Sequence, residues 1–241
     1  MTIFHTVLFT VAAVAALANC CVELRRCLMM LQQNSYRPER YRKWLSQSAD
    51  STSGLRLTGF IVLLFCITPF CPPVAGAVLM IVFLAFCISV QSRRRYKKPL
   101  VMTRRAMRIY STSLAIAVIA AGALSLAGTG WSGGAYRMAL VFLAAYCLSH
   151  VLVIVATWLL EPLERHINAK YTAQARAILE SMPGLRIVGI TGSYGKTTTK
   201  HYLHAMLGEK YSTLMTPGSF NTPLGVVRTI REQLRPYHEV F

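Results

Sequence analysis

The chain has 241 residues, of which 54% are hydrophobic and only 15% charged, and its mean hydropathy is +0.43. Such a composition excludes an ordinary soluble globular protein and a disordered one, and the length allows one or two domains. The formal net charge of +17, from 26 Lys and Arg against 9 Asp and Glu, would suit nucleic acid, an anionic membrane surface or a polyanionic ligand; the basic residues lie between apolar stretches, which selects membrane topology and excludes nucleic acid as the partner.

In chain order, five apolar segments predict helices that cross a lipid bilayer, a task that takes about 20 residues. They are about Ile3–Val22, Leu57–Phe70, Val74–Val90, Ser111–Gly128 and Met138–Leu160, and none contains Asp, Glu, Lys or Arg. The second is short. The first lacks the basic start of a cleaved signal peptide and is read as a span. Within the spans, Asn19, Ser149 and His150 are read as hydrogen-bonded helix contacts rather than as an ion path. The seven cysteines lie in or beside apolar segments without a CxxC pair; they are read as small buried hydrophobes, not as a disulfide scaffold or zinc site.

Charge in the connecting segments orients the spans. Arg25, Arg26, Arg37, Arg40, Arg42, Lys43 and Arg56 lie between the first two segments. Arg93, Arg94, Arg95, Lys97, Lys98, Arg104, Arg105 and Arg108 lie between the third and fourth. The alternate connections, Cys71-Pro72-Pro73 and Thr129–Arg137, are nearly uncharged. Positive segments stay on the cytoplasmic side. The expectation is therefore a multi-pass protein of the cell membrane, N-terminus outside, with everything after Leu160 in the cytoplasm.

Residues 161–184 read as an amphipathic linker helix ended by Pro183-Gly184. Leu185–Ile190 reads as a buried strand, Thr191–Lys196 as a loop, and Thr197–Leu207 as a helix stopped by Gly208. Tyr211–Met215 reads as a second strand, Thr216–Thr222 as a loop, and Pro223–Leu234 as a helix with Pro in its first turn. Val240-Phe241 reads as the entry to a third strand. The predicted fold is an α-helical membrane region over 1–160 followed, from 185 to 241, by the start of an α/β P-loop domain with a parallel sheet.

The loop carries the chemistry. Thr191, Gly192, Ser193, Tyr194, Gly195, Lys196, Thr197 and Thr198 form the candidate ATP-binding run. Glycines let successive backbone N–H groups face one concavity, and the helix that follows adds its positive end. Lys196 is placed to neutralise β- and γ-phosphates, Thr197 to offer a hydroxyl to Mg²⁺, and Thr198 to make a further phosphate contact. The general P-loop has four residues between its glycines. Here Ile190 occupies the first glycine position, leaving the shorter Gly-x-x-Gly-Lys-Thr from Gly192 to Thr197.

That shorter form, Gly189-Ile190-Thr191-Gly192-Ser193-Tyr194-Gly195-Lys196-Thr197-Thr198-Thr199, resembles the ATP loop of the Mur ligase family. The stretch Thr216-Pro217-Gly218-Ser219-Phe220-Asn221-Thr222-Pro223-Leu224-Gly225-Val226 looks like the corresponding loop of the MurF-type branch. The resemblance covers about residues 185–241. It implies an ATP-dependent, amide-forming ligase in peptidoglycan precursor synthesis, which phosphorylates a carboxylate to an acyl phosphate that an amine then attacks. It also implies ATP and Mg²⁺ as cofactors, and a UDP-linked muramoyl peptide with an amino acid or dipeptide as substrates. Lys196 would then be catalytic, stabilising the transferred phosphoryl group; Thr197 would be a metal ligand; and Asn221 would lie in the substrate loop. The family's Mg²⁺-binding Glu, its following His and its closing domain have no counterpart before Phe241. Glu239 stands too early for that Glu. The chain is therefore expected to be the first part of a longer protein and inactive by itself. Two alternatives remain within reach of these residues: a nucleotide-binding membrane scaffold without turnover, and another acid–amino-acid ligase of the same superfamily. The Ile190 substitution and the 216–226 stretch argue against an unrelated P-loop ATPase or kinase.

Overall fold

The computed structural model describes residues 3–48, 53–94, 96, 98–126, 133–218, 220 and 222–241. Its helices are α1 (Ile3–Gln33), α2 (Pro38–Gln47), α3 (Gly54–Ile67), α4 (Pro73–Ser92), α5 (Arg104–Leu126), α6 (Gly134–Cys147), α7 (Ser149–Glu180), α8 (Lys196–Gly208) and α9 (Pro223–Gln233). The chain divides into two compact units, Met1–Leu160 and Glu161–Phe241, with the boundary inside α7 just before Pro162.

In the first unit α1 is central and packs against α4, α5 and α6, while α6 also packs against α3 and α5. Small residues let the helices approach closely: Ala12 and Ala16 of α1 are fully buried. A Cβ on Gly59 would stand 2.8 Å from the Cys147 sulfur and 3.4 Å from the Phe83 ring. A Cβ on Gly76 would collide with the Tyr136 hydroxyl, which donates to the Cys66 carbonyl at 3.1 Å. All seven cysteines are free thiols, and six are buried.

Among the described residues three helices, α1, α4 and α5, are long and apolar enough to cross a membrane. The number is lower than the five segments expected, for two local reasons. With 14 residues, α3 is short. The fifth segment is broken at Leu148: α6 and α7 meet at an 80° bend and count as a span only if taken together. No Pro or Gly marks this break. Pro162, by contrast, sits inside α7 without ending it.

Several basic residues assigned to connecting loops are helical. α1 runs eleven residues beyond Val22 and carries Arg25 and Arg26, and Arg56 lies in the first turn of α3. Glu23, Arg26 and Arg56 are buried. Glu23 accepts from Arg26 Nη2 at 2.6 Å and from Arg56 Nη2. Arg56 Nη1 lies 2.9 Å from His150 Nδ1, and Ser149 Oγ lies 3.4 Å from Cys27 Sγ. The polar start of α7 thus meets a buried ion cluster at the bend.

In the second unit, Ala175 of α7 and Ile230 and Leu234 at α9 form a small core, with Leu179, Leu214, Val226 and Phe241 packed around it. Arg231 lies 4.0 Å above the Tyr171 ring. The parallel sheet expected for residues 185–241 does not form: among the described residues there is no strand. Arg186 and Thr213 each make only an isolated parallel bridge to Val240. The backbone bonds of the two outer segments to the middle one reach only Glu239, Val240 and Phe241. Three residues provide too few successive pairs for a ladder.

Candidate functional site

After the bridge at Arg186 the backbone enters the glycine loop. Gly192 has φ +145° and Gly195 φ +74°, conformations that a side chain disfavours. Gly195 is the residue from which α8 starts, and its carbonyl accepts the amide of Thr199 at 2.8 Å. These two glycines therefore shape the turn that sets the helix N-terminus behind the loop.

A cavity of about 630 Å³ opens beside this turn. Thr191, Gly192, Lys196 and Thr197 line it, so four of the predicted run converge there. Ser193, Tyr194, Gly195 and Thr198 do not line it, and Tyr194 is 96% exposed. Asn221 lies outside the described residues. The Lys196 ammonium donates to the carbonyl of Gly192 within its own loop.

Thr216, Gly218 and Phe220 also line the cavity, as do Val188, Leu214 and Val240. Lys196, Lys200, Leu203, His204 and Leu207 line the cavity from one face of α8, as their three- and four-residue spacing requires. Lys200 is a cavity-lining cation that motif reading passed over. Its ammonium donates to the carbonyls of Thr216 and Gly218, each at 2.6 Å, and so ties α8 to the opposite loop. Spacing was the available signal: Lys200 follows Lys196 by one helical turn. His204 Nδ1 lies 2.9 Å from Thr213 Oγ1.

The cavity suits an anionic, phosphate-bearing ligand. Among the described residues it is lined by two lysines and by no Asp or Glu side chain, and it takes in the N-terminus of a 13-residue helix. For Mg²⁺ the fit is partial. Thr197 offers one hydroxyl, and no group of three or more His, Cys, Asp or Glu side chains suited to a metal occurs among the described residues. Glu239 does not line the cavity; its carboxylate accepts the amide of Ser212 at 3.0 Å. A Mg²⁺ ion here would depend on ligand phosphates for most of its coordination.

Sequence comparison gives this geometry a family context. Residues 190–241 match the profile of the Mur ligase middle domain. This segment is Mur ligase-like. It is 46% identical over 56 residues to the UDP-N-acetylmuramoyl-tripeptide–D-alanyl-D-alanine ligase of Bacillus subtilis (strain 168), an alignment covering 23% of this chain and 12% of the relative. The ligase of the same name from Treponema pallidum (strain Nichols) is 39% identical over 61 residues, 25% of this chain and 13% of the relative. That of Mycobacterium tuberculosis (strain ATCC 25618 / H37Rv) is 46% identical over 52 residues, 22% and 10%. The Mur ligase-like match thus spans roughly a tenth to an eighth of these relatives. No solved structure matches the chain.

Proposed function

We propose that the chain is a membrane-anchored part of an ATP-dependent, amide-forming Mur ligase-like enzyme of the MurF type. The observation that carries the reading is the convergence of Gly192, Lys196 and Thr197 on one cavity at the start of α8, within a segment that matches the middle domain. ATP supplies the phosphoryl group that activates a carboxylate. Lys196 leaves the Gly192 carbonyl to neutralise phosphate charge, and the helix N-terminus adds its partial positive charge. Thr197 offers its hydroxyl toward a phosphate-bound Mg²⁺. Asn221 is assigned to the substrate side. A UDP-linked muramoyl peptide and an amino acid or dipeptide are the proposed substrates, by analogy with the names of the relatives.

Helices α1, α4 and α5, the α6–α7 pair and the shorter apolar α3 are proposed to make five crossings of the cell membrane, with the N-terminus outside and the nucleotide site on the cytoplasmic side. The test is direct. The purified chain is titrated with a fluorescent ATP analogue with and without Mg²⁺, and the bound analogue is chased with ATP. Saturable binding that ATP displaces supports the reading. Absence of binding at millimolar nucleotide would remove it.

A further inference from the structure

The two basic stretches of the first unit are far apart in sequence but joined in space. Gln32 at the end of α1 pairs with the backbone of Val101: its amide nitrogen donates to the carbonyl at 2.8 Å, and its oxygen accepts the amide at 3.0 Å. Gln33 donates to the Lys98 carbonyl at 3.1 Å. The Tyr36 hydroxyl lies 3.3 Å from that of Thr103, and the Arg105 guanidinium stacks 4.7 Å from the Tyr36 ring. Ser35 and Tyr36 hold φ of 60° and 55°, a conformation unusual for a bulky residue. The turn after α1 is thus built to receive the segment before α5.

This junction assembles charge of one sign. Arg37, Arg40, Arg42 and Lys43 are exposed around α2, and Arg93, Arg94, Lys98 and Arg104 are exposed between α4 and α5. None of these eight is in an ion pair with a described residue, and among the described residues of these stretches Glu39 is the lone exposed carboxylate. Such a cluster repels itself unless anions neutralise it. Beside it, Val101 and Met102 are 62% and 41% exposed. Apolar side chains flanked by cations are suited to the boundary between headgroups and acyl chains, and give no advantage for a free, fully hydrated phosphate.

We infer that this end of the helical unit is a docking surface for the anionic headgroups of phospholipids. Cations on α2 and on the 93–104 segment contact phosphate, and Val101 and Met102 enter the upper acyl layer. The inference does not depend on the nucleotide site.

The full chain, purified in a neutral detergent, is titrated with phosphatidylglycerol and, separately, with phosphatidylcholine, and bound lipid is counted by native mass spectrometry. The expected result is at least about tenfold preference for phosphatidylglycerol, modest against roughly fivefold per basic residue. The combined variant Arg37→Gln, Arg40→Gln, Arg42→Gln, Lys43→Gln should reduce that preference to within about twofold while still binding phosphatidylcholine. A control variant on α7, Arg165→Gln with Arg176→Gln, should keep it and shows that lowered net charge alone is not responsible. Equal binding of the two lipids by the native chain, unchanged preference in the four-site variant, or full displacement by an equal concentration of inorganic phosphate would each overturn the proposal.

Discussion

Glu23 of α1 and Arg56 of α3 form an ion pair in which both side chains are almost wholly shielded from solvent, 3% and 1% exposed respectively. Their partners extend the pair to Arg26 on α1 and His150 on α7. The cluster joins three helices beside the α6–α7 bend. Removing one member of such a pair leaves its partner's charge buried and costs about 3–5 kcal/mol, whereas replacing both by apolar residues costs much less. Glu23→Gln should therefore lower unfolding stability in detergent by about that amount, Arg56→Met should cost less because Glu23 keeps Arg26, and Glu23→Gln combined with Arg56→Met should cost clearly less than the two single changes added. A strictly additive double-mutant cycle would refute the coupling.

Lys196→Ala should weaken ATP binding by about ten- to a hundredfold, the scale of one charge-assisted hydrogen bond of about 1.5–3 kcal/mol. The thermal stability of the chain should hardly change, because among the described residues Lys196 bonds to its own loop. Calorimetric titration with ATP reads the first effect and a melting curve the second. Wild-type affinity in the variant would eliminate the phosphate role.

Lys200→Met should act differently. It removes the donor shared by the Thr216 and Gly218 carbonyls, so amide hydrogen exchange should rise in the loop around Phe220, with a smaller loss of ATP affinity than in Lys196→Ala. Lys200→Arg should recover part of the protection. If exchange in the loop stays at the native rate in Lys200→Met, the tie between α8 and this loop has no energetic weight.

Gly76→Ala should destabilise the helical unit by about 1–3 kcal/mol, the usual cost of overpacking, because its new methyl meets the Tyr136 hydroxyl. Tyr136→Phe removes the obstructing oxygen and should restore part of that stability in the double variant. Equal melting temperatures for Gly76→Ala and the native chain would show that the helices simply move apart.

Local patterns were readable where the physics is local. The glycine loop, the start of α8 and the start of α9 at Pro223 follow from glycine and proline conformational limits, which act within a few residues. Six of the seven cysteines are likewise buried, although Cys27 lies against the Glu23–Arg56 cluster. The sheet was misread because Leu185–Ile190 and Tyr211–Met215 have strand-like sequence, yet ladder formation depends on partners that only tertiary pairing supplies. The bend at Leu148 was invisible because no breaker residue stands there; Ser149 and His150 face the Glu23–Arg56 cluster from distant parts of the chain.

Sequence by itself determined which segments are apolar, where the glycines bend the backbone, and that a helix opens behind the glycine loop near Lys196 and Thr197. Tertiary structure alone decided that Arg56 is buried against Glu23 rather than solvated, that Lys200 spans to the Thr216–Gly218 loop, and that the two basic stretches meet at Gln32 and Val101. The division has one cause. Backbone preference and hydropathy belong to single residues and short windows, whereas the neutralisation, burial and approach of charged groups depend on what the fold brings from far along the chain.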